Sequence, residues 1–208
     1  TISCKAKIHS LKRLPMSKFH SGIVLSILLL VTARATLADE GMWTFNNFPK
    51  SQIKQRYGFE ITDAWLDHVR LSSVRFNNGG SGSFVSPDGL VMTNHHVGAD
   101  CIQKLSTKEK EYIRDGFYAA ARNEEGKCPD LELNVLVGIE DVTSQVKEAA
   151  KPEMSEAEIN QAQKAAMSRL EKDCASRTGL RCDVVTLYRG GAYDLYTYKK
   201  YTDVRLVF

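Results

Sequence analysis

His95 and His96 stand side by side at the end of an apolar run, Leu90-Val91-Met92-Thr93-Asn94, and the small residues Gly98 and Ala99 follow closely. Histidine titrates near neutrality, so an imidazole at a strand exit, rigidly held and open on one side, suits a general base. Neighbouring side chains point in different directions, so the chemistry needs only one of the pair. Asp203 is the acid of the terminal apolar stretch Val204-Arg205-Leu206-Val207. It has two uses there: to orient an imidazole through Nδ1, or to pair with Arg205. A third pattern, Gly79-Gly80-Ser81-Gly82-Ser83, mimics the turn that presents a serine nucleophile. It precedes the histidines and fits a strand entry, so it reads as structural.

Cys101, Cys128, Cys174 and Cys182 lie beyond the leader and allow three disulfide connectivities. A bond between Cys174 and Cys182 closes a short loop around Thr178-Gly179-Leu180, which leaves Cys101 to pair with Cys128. Free buried thiols are one alternative. A zinc site using His95, His96 and cysteines is another, but no Cys-x-x-Cys or His-x3-His spacing supports it.

The elements that must position these residues are legible in outline. A helix runs from about Pro49 to Gly58, and a second follows Thr62 with Trp65, Leu66 and Val69 on one face. Strands are expected at 74–76, 81–86 and 90–94, broken by Asn77-Asn78-Gly79-Gly80 and by the turn Pro87-Asp88-Gly89. A short helix is expected near 107–114 and a strand at 131–139. Ser155 with Glu158 forms a capping box for a helix to about Ala175, along which Ile159, Ala162, Ala166 and Leu170 recur at helical spacing. Strands at 183–187, 192–198 and 202–208 complete the pattern. The last of them reaches the end of the sequence without a closing turn, which reads as a truncated chain.

Composition bounds the rest. With 208 residues, 43% hydrophobic and 25% charged, the sequence is of globular type. Residues 12–38 read as a secretory signal peptide: Lys12, Arg13 and Lys18 precede the apolar run Ile23–Val31, and small residues lead to cleavage after Ala38. That run is about half of the roughly 20 residues a membrane span requires. Met16 precedes the apolar run, so residues 1–15 read as lying upstream of the translated start. Residues 1–38 carry six of the 28 basic residues and no acidic one. The remainder therefore has 22 basic against 25 acidic residues, a balance of −3, and offers no basic footprint for nucleic acid.

The stretch Gly82-Ser83-Phe84-Val85-Ser86-Pro87-Asp88-Gly89-Leu90-Val91-Met92-Thr93-Asn94-His95-His96-Val97 resembles the histidine hairpin of chymotrypsin-fold serine peptidases. Gly41-Met42-Trp43, the doubled histidine, Tyr201-Thr202-Asp203-Val204-Arg205-Leu206 and the Cys174/Cys182 spacing are together similar to the dipeptidyl-peptidase 7 and 11 family of bacterial serine exopeptidases. The resemblance runs from about Asp39 to Phe208. It implies His96 as the general base and Asp203 as the residue that orients it.

It also implies a mainly β fold with a helical insertion. Residues 39–208 would be the N-terminal part of the catalytic domain: the first barrel of a chymotrypsin-like double β-barrel and the start of an α-helical domain, with a helical segment at about 153–178. The separation of 107 residues between His96 and Asp203 leaves room for that helix. In the superfamily the serine follows the aspartate, and no serine follows Asp203, so this chain is expected to lack the nucleophile. The expected whole is a periplasmic or secreted homodimer that releases dipeptides from peptides with free N-termini. It needs no metal or organic cofactor and leaves the membrane after signal cleavage. Two other readings are a fragment of a trypsin-like periplasmic endopeptidase and a non-catalytic peptide-binding remnant.

Overall fold

Helix punctuation falls where threonine and glycine direct it. The computed structural model describes residues 41–208, so the expected leader lies outside the described residues. Helix α1 (Lys50–Tyr57) stops at Gly58, whose φ of 68° is left-handed and costs glycine little. Helix α2 (Asp63–Ser72) begins at Thr62, whose Oγ1 accepts the Trp65 N–H at 3.1 Å. Leu66 is buried beneath it, while Trp65 stays largely exposed and stacks edge-on against Phe59.

The strands β1 (Ser73–Phe76), β2 (Ser81–Phe84), β3 (Val91–Thr93), β5 (Leu133–Asp141), β6 (Arg181–Leu187) and β7 (Ala192–Tyr201) form one antiparallel sheet in the order β3-β2-β1-β5-β7-β6. A smaller ladder pairs β4 (Gly126–Lys127) with β8 (Arg205–Leu206). Helix α3 (His95–Leu105), the single turn α4 (Tyr112–Asp115), α5 (Thr143–Lys147) and α6 (Glu156–Thr178) complete the described chain. The register of β5 against β7 shifts between Leu136 and Gly138, the local bend of a β-bulge.

Two apolar cores follow from this arrangement. One holds Val74, Phe76, Val97, Cys101, Cys128, Leu131, Leu133 and Val135 beneath α3. The other holds Val142, Val146, Cys174, Cys182, Tyr193 and Leu195 beneath α6. Disulfides Cys101–Cys128 and Cys174–Cys182 form as expected, one in each core. The Ser155–Glu158 capping box is present, and α6 ends at Gly179. Polar ties hold the N-terminal elements to the sheet: Asn46 Nδ2 donates to the buried Asp194 carboxylate at 3.0 Å, and Arg70 Nη1 to the Leu136 carbonyl at 2.7 Å.

Two local expectations are corrected. The helix expected near 107–114 is a turn followed by α4, because Thr107 Oγ1 accepts the Glu109 and Lys110 N–H groups and diverts the backbone. The helix in that region lies earlier, at 95–105. The strand expected over 202–208 is only two residues long, although the Val204 and Val207 carbonyls accept bonds from Cys128 and Ala119 on either side of it.

Candidate functional site

The histidine pair occupies the first turn of α3, not the end of a strand. The β2–β3 hairpin delivers it: Ser86, Pro87, Asp88 and Gly89 turn the chain, Val85 N–H closes on the Leu90 carbonyl at 2.8 Å, and Thr93 Oγ1 donates to the Ser81 carbonyl at 2.7 Å. Asn94 then leaves β3 with extended φ and ψ and serves as N-cap residue, although its side chain makes no capping bond. Val97 in the same turn and Cys101 one turn further on are buried in the core, and the Cys101–Cys128 disulfide pins the helix from below. A signal for α3 exists in the sequence, since Val97, Cys101, Ile102 and Leu105 recur at helical spacing. The doubled histidine and Gly98 mask it by resembling a strand exit.

Both imidazoles are exposed, and among the described residues neither makes a hydrogen bond or an ion pair. Adjacent helical residues are about 100° apart around the axis, so the two rings address different space. His95 borders a cleft of about 390 Å³, together with Val91, Met92, Ile102, Leu206 and Phe208. His96 does not border it. An unbonded imidazole over a pinned helix can accept a proton from an incoming group, which is the geometry general-base catalysis requires.

Asp203 and Arg205 also line this cleft, but the acid is already engaged. Arg205 Nε and Nη2 donate to the two Asp203 oxygens at 3.1 and 3.0 Å. These bonds hold the Asp203 carboxyl below the usual carboxylate range, with a smaller contribution from Lys127. Of the two uses the sequence leaves open for Asp203, this conformation displays the pairing with Arg205. The structure thus brings His95 and Asp203 to one cleft and leaves His96 outside its lining.

In the glycine-rich turn, Ser83 Oγ donates to the Phe84 carbonyl at 3.2 Å within β2, and the backbone carbonyl of Ser81 accepts from Thr93 Oγ1, so both residues are built into the hairpin. Among the described residues all four cysteines are in disulfides, so none of them offers a thiolate to a zinc site. Among the described residues no group of three or more His, Cys, Asp or Glu is placed to hold a metal ion.

Comparison with known proteins gives a consistent answer. Residues 38–208 match the family described as Peptidase S46. The dipeptidyl-peptidase 7 of Capnocytophaga gingivalis is 32% identical over 200 residues, which is 92% of this chain and 28% of that protein. An Asp/Glu-specific dipeptidyl-peptidase of Porphyromonas gingivalis is 35% identical over 183 residues, 82% of this chain and 25% of the relative. Among solved structures, Porphyromonas endodontalis DPP11 in complex with the dipeptide Arg-Glu superposes with a TM-score of 0.64 at 32% identity, covering 81% of this chain and 27% of that one. The same enzyme in complex with substrate superposes equally well. The chain spans about a quarter of the length of the relatives it matches.

Proposed function

We propose, from the premise that this chain belongs to the peptidase S46 family, that it is the N-terminal portion of an exported serine dipeptidyl-peptidase. The complete polypeptide would release dipeptides from the free N-termini of peptides. In this reading the sheet and α3 are the first barrel of a chymotrypsin-like catalytic domain, and α6 begins the helical insertion. Residues 12–38 direct export, and the family likeness favours a homodimer.

The observation that carries the reading is the histidine pair: two unbonded, exposed imidazoles on a helix that a hairpin delivers and a disulfide pins. In the proposed mechanism His96 takes the proton of a serine supplied by the rest of the polypeptide as that serine attacks the peptide carbonyl. It then returns the proton to the leaving amine, and water repeats the sequence on the acyl-enzyme. This chemistry needs neither a metal nor an organic cofactor. Asp203 already accepts from Arg205, which supports a structural use for that acid, and its remaining lone pairs leave the orienting use to His96 open.

Two measurements on the complete polypeptide test the proposal. A fluorophosphonate probe should label its nucleophilic serine, and peptide digests should release dipeptides from free N-termini only. Internal cuts would assign an endopeptidase instead. Absence of both labelling and cleavage would leave a peptide-binding remnant.

A further inference from the structure

The turn that precedes β2 does more than reverse the chain. Asn77 fixes it to the entry of β5: its backbone N–H donates to the Glu132 carbonyl at 3.1 Å, its Nδ2 to the Asp130 carbonyl at 2.8 Å, and its Oδ1 accepts the Glu132 N–H at 2.9 Å. The next two contacts reach across to α3. Asn78 Nδ2 donates to the Val97 carbonyl at 3.1 Å, and Gly80 lies against the Val97 side chain. A Cβ on Gly80 would come within 2.5 Å of Val97 Cγ2, and the φ of 94° independently excludes most side chains. The glycine is thus the condition for the turn to approach the helix closely enough for Asn78 to bond it.

Val97 is the residue after His96. Its side chain is buried in the core, its N–H bonds back to the Asn94 carbonyl at 3.0 Å, and its carbonyl receives the Asn78 amide. No side chain caps the helix start, and no acidic residue in its first turn steadies it. From these contacts we infer that Asn78 is a positioning residue for His96: through the Val97 carbonyl it fixes the first turn of α3, and so sets where the imidazole stands relative to its reaction partner. Asn77 and the β5 entry give Asn78 a rigid footing, while the Cys101–Cys128 disulfide fixes the following turn. The histidines are held from below on successive turns while their rings remain free.

This inference rests on His96 acting as the base, and its test separates the two. Asn78→Asp keeps size and shape but removes the N–H donor. In the complete polypeptide it should lower kcat by about 10- to 100-fold, the scale of a displaced catalytic group. KM should stay within about twofold, because substrate contacts are not removed. Hydrogen exchange should rise over residues 94–101 and stay unchanged over 63–72, and Asn78→Gln, which restores a donor, should recover part of kcat. Unchanged kcat in Asn78→Asp beside an inactive His96→Ala would overturn the positioning role and leave the base assignment standing. Exchange that rises equally in both segments would make Asn78 a general stability residue and overturn it as well. Full activity of His96→Ala would remove the base assignment and the positioning role together.

Discussion

The two apolar cores are built alike and finished differently. The core under α6 is sealed: Val142 and Val146 are 1% and 0% exposed, and Cys174–Cys182 ties the helix to the strand that follows it. The core under α3 is open along one side. Met92 is 62% exposed, a cleft enters between the hairpin and β8, and the helix presents two imidazoles that have no partner among the described residues. Sealing maximises buried apolar area, whereas an open edge keeps polar groups within reach of a substrate. The comparison therefore separates scaffold from site. Substitutions in the first region should act on stability, and those in the second on turnover.

The sharpest way to break that division is His96→Ala in the complete polypeptide. We expect kcat/KM to fall by at least about 10⁴-fold with the melting temperature unchanged, and His95→Ala to cost less than about tenfold. The reverse order would move the base to the histidine that borders the cleft.

Paired Cys→Ser replacements probe the same boundary at the level of stability. Cys101–Cys128 spans 27 residues and Cys174–Cys182 spans eight. Loop-closure entropy then predicts losses of about 3.5 and about 2.5 kcal/mol. Denaturant unfolding measures both, but only removal of Cys101–Cys128 should also lower kcat, because that bond pins the histidine helix. Equal effects on kcat would erase the distinction between the regions. Val146→Ala, at a fully buried site of the sealed core, should cost about 2 kcal/mol without altering turnover of the folded enzyme.

Ser155→Ala should cost about 1 kcal/mol at neutral pH, as loss of a helix cap typically does. The hydrogen bonds from Ser155 hold the Glu158 carboxyl below its usual range. A lowered carboxyl pKa contributes stability that is present above the ordinary glutamate value and is lost as pH falls through the lowered one. Thermal melts should therefore show the Ser155→Ala difference narrowing in acid, and a constant difference would detach the cap from Glu158. The smallest effect is expected from Asp203→Asn. With its carboxylate on Arg205, it should change kcat/KM by less than about tenfold, whereas a loss near 10⁴-fold would make it the orienting acid.

How far these features can be read without coordinates depends on their range. Gly58, Thr62, Pro87-Asp88-Gly89 and the Ser155–Glu158 box act within four residues, and each marks its turn or helix end where expected. The α6 helix is legible because its cap and its periodicity agree. The histidine helix is not, because a local pattern of apolar strand, asparagine and small residues competes with its own weaker periodicity. The candidate base residues are visible by type, but their direction is not, since one residue of register on a helix turns a ring by about 100°.

By itself, the sequence determined the β2–β3 hairpin, the helices α1, α2 and α6, the short Cys174–Cys182 closure and the residue types available for acyl transfer. Those depend on local conformational preference and on chemistry that each residue carries with it. The tertiary structure alone decided that His95 and not His96 borders the cleft, and that Asn78 reaches the Val97 carbonyl across 19 residues. Those outcomes depend on which distant groups the packed sheet brings within about 3 Å, and hydrogen bonds lose their strength steeply beyond that range.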